Sequence, residues 1–220
     1  MASRKDPVAV IGLGRFGTAL ALELAHGGTE VLAVDNRADI VQGLSGQLGQ
    51  VVTADSTNLD ALKEIGVVDF NRVVVAIGAD LEASILTTAL LAELEIRDIW
   101  AKAMSQQHAT ILERIGAHHV VFPEHEMGER VAHLVTGRLL DWIELGPNWV
   151  LAKTRPPREL VGVPLGDSGL RKRRHVTVVS VRPEGEAGFT HAANDTVLGY
   201  GTVIVIAGHP DDVERFVDLP

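Results

Sequence analysis

Residues Val8 to Gly17 read Val-Ala-Val-Ile-Gly-Leu-Gly-Arg-Phe-Gly, and few folds can absorb such a stretch. Four apolar residues form a strand that runs into Gly12-x-Gly14-x-x-Gly17, and an Ala/Leu-rich helix follows. About twenty residues further on, a second apolar strand ends in Asp35, which completes a dinucleotide-binding fingerprint. Gly12 lets the chain turn tightly, Gly14 lets a phosphate approach the backbone, and Gly17 lets the helix pack closely on a sheet. Free N–H groups at the helix start then face the phosphates, with the helix dipole behind them. Asp35 can accept both hydroxyls of a ribose diol, and its charge disfavours a 2′-phosphate. Arg15, just inside the loop, adds a bidentate phosphate donor. The pattern implies an adenine nucleotide as ligand. It does not imply a reaction.

The grammar repeats through residue 140. Segments 8–11, 31–34, 51–53, 73–77, 99–102 and 119–122 read as buried strands. Helical periodicity fills 15–26, 39–48, 58–65, 81–94 and 106–115, and glycines after several of these segments fit helix C-caps. Strict alternation predicts an α/β fold, a Rossmann-like doubly wound parallel sheet. Residues 124–140 read as a long amphipathic helix, with Trp142 and Ile143 extending its apolar stripe. That stripe needs a cover, either its own domain or a second copy. Gly146-Pro147 punctuates the chain. Beyond it, β-branched segments at 149–153, 177–181 and 203–207 and a helix at 211–217 predict a small α+β subdomain. The expected organisation is residues 1–140, a nucleotide-binding domain with a crossover helix, and residues 141–220, a C-terminal subdomain.

Composition removes several classes of function. A net charge of −9 disfavours non-specific nucleic-acid binding. The absence of cysteine excludes disulfides, thiolate catalysis and Cys-based zinc sites. No apolar run approaches the ~20 residues that span a bilayer, and the first residues carry no signal-peptide pattern. A cytoplasmic protein is expected, with any membrane role exerted through a partner. None of the nine histidines forms a helical metal pair, and no nucleophile–base motif occurs. Hydrolysis of a bound nucleotide is therefore not indicated, and a binding protein rather than an enzyme is expected. The alternative is an NAD-dependent oxidoreductase, which shares the fold but needs a proton donor near the nicotinamide.

From Val8 to Arg130 the chain resembles the regulator-of-potassium-conductance (RCK) family, in particular the cytosolic gating subunits of Ktr/Trk-type potassium transporters. The resemblance is carried by Ile-Gly-Leu-Gly-Arg-Phe-Gly (11–17), Val-Leu-Ala-Val-Asp (31–35), Val-Ala-Ile-Gly-Ala (75–79), Ser-Ile-Leu-Thr-Thr (84–88), Ile-Trp-Ala-Lys-Ala (99–103), Leu-Glu-Arg-Ile-Gly-Ala (112–117) and Phe-Pro-Glu-His-Glu-Met-Gly (122–128). It implies a homo-oligomer, an octameric ring of dimers, at the inner face of the cell membrane beside a separately encoded potassium channel subunit. ATP or ADP would occupy one site and change the ring's shape. By position, Arg15 would reach the terminal phosphates and Asp35 the ribose, with Asn36 and Arg37 beside it. Asp55 and Ser56 would lie near the adenine, and Ile77, Gly78 and Ala79 would line the site. Lys102 and His108 would stand at its edge, and Glu124 would join a divalent cation site for Mg or Ca. Each has a plainer alternative. Asp55 and Ser56 could form a turn or a helix cap. Lys102 and His108 could be surface residues, and Glu124 could answer the helix dipole alone. In some relatives the C-terminal subdomain binds cyclic di-AMP. Here Arg171 matches that pattern, whereas Thr177 and the basic run through His175 depart from it. The run either meets a phosphate or ends a solvated helix.

Overall fold

The computed structural model describes residues 6–135 and 138–220 and divides into two compact units, one up to Pro123 and one from Glu124 to Pro220.

The first unit is a six-stranded parallel sheet. Its strands are β1 (Val8–Ile11), β2 (Val31–Asp35), β3 (Gln50–Thr53), β4 (Arg72–Val75), β5 (Asp98–Lys102) and β6 (His119–Val121). Their spatial order is β3-β2-β1-β4-β5-β6, so the chain reverses direction across the sheet between β1 and β4. Every residue of β1 and β2 is buried, as expected of strands covered on both faces. Helices α1 (Arg15–His26), α2 (Ala38–Leu44), α3 (Leu59–Glu64), α4 (Leu81–Glu93) and α5 (Gln106–Arg114) link the strands. Ile11, Val34, Leu91 and Leu112 centre one apolar layer, while Val10, Leu13, Ala21 and Ala33 centre another. Truncating a fully buried leucine such as Leu91 or Leu112 to alanine would cost about 2–5 kcal/mol.

Side chains set the starts of three helices. Asn58, Asp80 and Ser105 each accept a backbone N–H from the first turn of α3, α4 and α5. Gly66 and Gly116, at φ +78° and +114°, end α3 and α5 as the sequence implies. After α4 the left-handed position falls instead on Glu95, at φ +56°.

The second unit holds α6 (Pro123–Val135, all but its first residue), β7 (Leu139–Gly146), β8 (Trp149–Thr154), α7 (Leu170–Arg174), β9 (Thr177–Arg182), β10 (Thr190–His191), β11 (Val203–Gly208) and α8 (Pro210–Val217). The strands form an antiparallel sheet in the order β10-β9-β11-β8-β7. Its core gathers Trp142, Val150, Leu160, Ile204, Ile206 and Phe216. The long helix expected over 124–140 is corrected here. Helix α6 ends at Val135, residues 136 and 137 lie outside the described residues, and Leu139 begins a strand. The reason is pairing. Residues 139–146 run antiparallel to β8 across the Gly146 turn, which satisfies their backbone groups and buries Leu139 and Trp142. Helix α6 is seated on this hairpin by Arg130, which donates to Asp141 at 2.7 Å, and by His133 stacked on Trp142 at 4.1 Å. Among the described residues no helix is long and apolar enough to cross a membrane.

Candidate functional site

A cavity of about 600 Å³ opens at the carboxyl ends of β1, β2 and β4, where the sheet order reverses. Open α/β sheets bind ligands at this switch point. The volume lies within the range usual for small-molecule sites.

The three glycines of the loop have different duties. Gly12 has φ +94°, and a Cβ there would lie 2.9 Å from Ile77 Cγ1. A Cβ on Gly17 would lie 1.9 Å from the Gly12 carbonyl oxygen, inside the van der Waals radii. These two are demanded by the fold. Gly14 caps α1 in an extended conformation open to any residue, at φ −68° and ψ −171°. A Cβ there would meet nothing within 4 Å. Its missing side chain keeps open the space in front of the helix N-terminus, where an anion is favoured. Arg15 is the first residue of α1 and is exposed beside that opening.

Asp35 is 7% exposed and already engaged. Its Oδ2 accepts the Leu13 N–H at 2.7 Å, and its Oδ1 accepts the Arg37 N–H at 2.9 Å. The acid thus ties the glycine loop to the end of β2, lines the cavity, and has the Arg37 Nε 3.5 Å from its Oδ1. Asn36 and Arg37 line the same wall.

Asp55 and Ser56, which follow β3, line the cavity too, and Asp55 also realises the plainer alternative of a turn. Asp55 Oδ1 accepts the Thr57 hydroxyl at 2.7 Å and the Thr57 N–H at 2.9 Å, a turn built by the side chain. The Thr57 hydroxyl, then its N–H, hold the Asp55 carboxyl below the usual carboxylate range, so it is ionised at neutral pH. Ser56 is buried and shares a 2.8 Å hydrogen bond with Thr87 on α4.

Ile77, Gly78 and Ala79 form the wall that leaves β4. Lys102 and His108 are not surface residues. Lys102 is buried, its Nζ sits 5.9 Å from the Phe16 ring centroid, and a Cβ on Gly78 would lie 3.1 Å from it. His108 is 3% exposed and accepts the Met104 N–H at Nδ1. Burial lowers its pKa, which keeps the ring neutral. Lys102 stands against Gly78, and neither residue lines the cavity. Asp80 lines the cavity and was missed in the sequence. Its signal was an acid directly before an apolar helix, which here caps α4 through the Ala83 N–H at 2.9 Å.

Glu124 lies exposed in the first turn of α6, in the second unit. Among the described residues no group of three His, Asp or Glu side chains comes together to hold a metal ion. In the basic run, Arg173 is tied to the Ser168 carbonyl and Arg174 to Glu159. Only Arg171 and Lys172 line a second cavity of about 350 Å³, where Arg171 Nε donates to Thr177 Oγ1 at 3.2 Å.

The sheet order, the glycine loop and the acid closing β2 define a dinucleotide-type binding domain, followed by a small α+β unit. Residues 8–123 match the TrkA-N domain family and residues 151–219 the TrkA-C domain family. The chain belongs to this TrkA-type RCK family of potassium-transport proteins. It is 35% identical over 213 residues to Ktr system potassium uptake protein C of Bacillus subtilis (strain 168), covering 96% of each chain. Ktr system potassium uptake protein A of Vibrio alginolyticus is 36% identical over 204 residues, covering 92% of each. The fold matches the GsuK RCK domain at a TM-score of 0.67 and 20% identity, over all of this chain and 49% of that one.

Proposed function

We propose that this chain is a cytosolic regulatory subunit of a potassium uptake system, which senses ATP against ADP and gates a separate membrane subunit. The observation that carries the reading is the cavity held open by Gly14 and bounded by Asp35. Full-length relatives named as potassium uptake proteins supply its context. The site is built to bind. Asp35 holds the loop, Asp55 holds Thr57, and Asp80 holds the start of α4. Carboxylates tied in this way can position a ligand.

The mechanism is differential affinity. A nucleotide moves a conformational equilibrium only as far as it binds one state better than the other. The γ-phosphate and Arg15 are the natural discriminators between ATP and ADP. Glu124 would add a carboxylate to a divalent cation site completed by phosphate oxygens and a second copy of the chain. A homo-oligomer agrees with α6, whose Met127, Val131 and Val135 form an exposed apolar stripe. A cyclic dinucleotide reading of the tail would rest on Arg171 and Lys172.

The test compares ATP, ADP and NADH in titration calorimetry on wild type and Arg15→Ala. NADH is included because the GsuK channel, a fold neighbour, has been solved bound to NAD. The expected result is tight binding of ATP and ADP, with the gap between them narrowed in Arg15→Ala. Binding of NADH alone, or an unchanged ATP/ADP ratio in the variant, would reject the reading.

A further inference from the structure

A third cavity, of about 390 Å³, lies in the second unit and takes no part in the nucleotide site. Three arginines, Arg138, Arg155 and Arg158, are among the residues that line it. They come from two places in the chain that the fold forces together. In the antiparallel register of β7 and β8, Leu139 pairs with Thr154, which sets Arg138 beside Arg155. Thr154 is 2% exposed, and its hydroxyl donates to the Arg138 carbonyl at 2.8 Å, locking that juxtaposition from below. Pro156 and Pro157 then separate Arg155 from Arg158 by a stretch whose φ angles are fixed by the ring. The Arg158 N–H is held by the Pro220 carbonyl at 3.0 Å.

The charges are not balanced within the unit. Among the described residues, Arg155 and Arg158 enter no ion pair. Arg138 meets only Asp218, at 3.2 Å, with the two side chains 54% and 76% exposed. A pair so solvated holds its arginine weakly. In a chain of net charge −9, three like charges gathered round one hollow repel each other, and a bound anion would offset that repulsion. Guanidinium forks suit phosphate oxygens in particular. The rest of the wall is mostly apolar, with Leu140, Pro156 and Leu219, and includes Thr154 and Pro220.

We propose that this cavity binds a small organic phosphate, its charged end on the three arginines and its carbon-bearing part against Leu140 and Leu219. The full chain, saturated with ADP, is titrated with inorganic phosphate and with phenyl phosphate. Fluorescence of bound mant-ADP in a parallel sample reports that the nucleotide site stays filled. Wild type should bind both probes saturably, phenyl phosphate the more tightly. The double variant R155Q/R158Q should bind about tenfold or more weakly, as the loss of two charge-assisted donors implies. It should keep its circular dichroism melting curve, because both side chains are exposed. R171Q/K172Q should bind as wild type does. Absence of saturable binding, equal binding by R155Q/R158Q, a loss confined to R171Q/K172Q, or equal affinity for the two probes would overturn the proposal. The mant-ADP signal reads the nucleotide site by itself, so failure of this proposal is separable from failure of the nucleotide reading.

Discussion

At the scale of single residues, the loop separates what the fold needs from what the ligand needs. Gly17→Ala places a methyl group on the Gly12 carbonyl and should cost about 3 kcal/mol or more. Gly14→Ala should stay within about 1 kcal/mol of wild type, because its φ and ψ suit alanine and its Cβ meets open space. It should nevertheless lose about tenfold or more in nucleotide affinity, and melting curves beside calorimetric titrations would separate the two effects. His108 makes a second prediction. Its folded-state pKa lies below the ordinary value of 6.5 because the ring is buried. Below about pH 6.5 the unfolded chain takes up a proton that the folded chain refuses. Stability is therefore complete above that pH and declines as pH falls, until the folded-state pKa is reached. His108→Asn keeps an acceptor for the Met104 N–H and should remove this component, read as the difference in urea midpoints between pH 7.5 and 5.5. Much of the site is legible in the sequence: glycine spacing and Asp35 point to the loop and strand end that line the cavity. Hydrogen-bond economy was not legible. The sequence names Asp35 but cannot say that Leu13 N–H already holds one of its oxygens. A lysine in a β-strand carries no mark of burial either, because Lys102 is covered by Phe16 and Gly78, distant in the chain.

At the scale of elements, the sheet was read almost whole because each parallel strand is a continuous apolar run between glycine-marked helix ends. The failure at β7 has a physical cause. Leu139, Leu140, Trp142 and Ile143 satisfy a helical period and a strand alternation about equally well over so short a span. Pairing with β8 decides between them, and that partner lies beyond the turn. Helix ends also show where the chain departs from the easiest solution. His175, which closes α7, sits at φ +57°, a left-handed position that disfavours a residue with a Cβ. His175→Gly should therefore stabilise the second unit by about 1 kcal/mol, visible as a raised denaturant midpoint with an unchanged slope.

At the scale of the whole molecule, each unit has its own apolar core, and α6 packs Leu134 into the second. The flank of α6 beside Leu134 exposes Met127, Val131 and Val135, with Val135 at 75%. A stripe of this spacing suits a facing helix. V131E/V135E should shift sedimentation velocity toward the single chain at micromolar concentration while leaving the circular dichroism spectrum intact. Pairing of copies along this stripe would make the protein's own concentration a variable of its chemistry. Where copies meet along α6, association and nucleotide binding share one free-energy cycle, and each must alter the other by an equal factor. A single site would then give different midpoints in dilute and in crowded samples, and abundance of the chain would tune its response with no change in any residue.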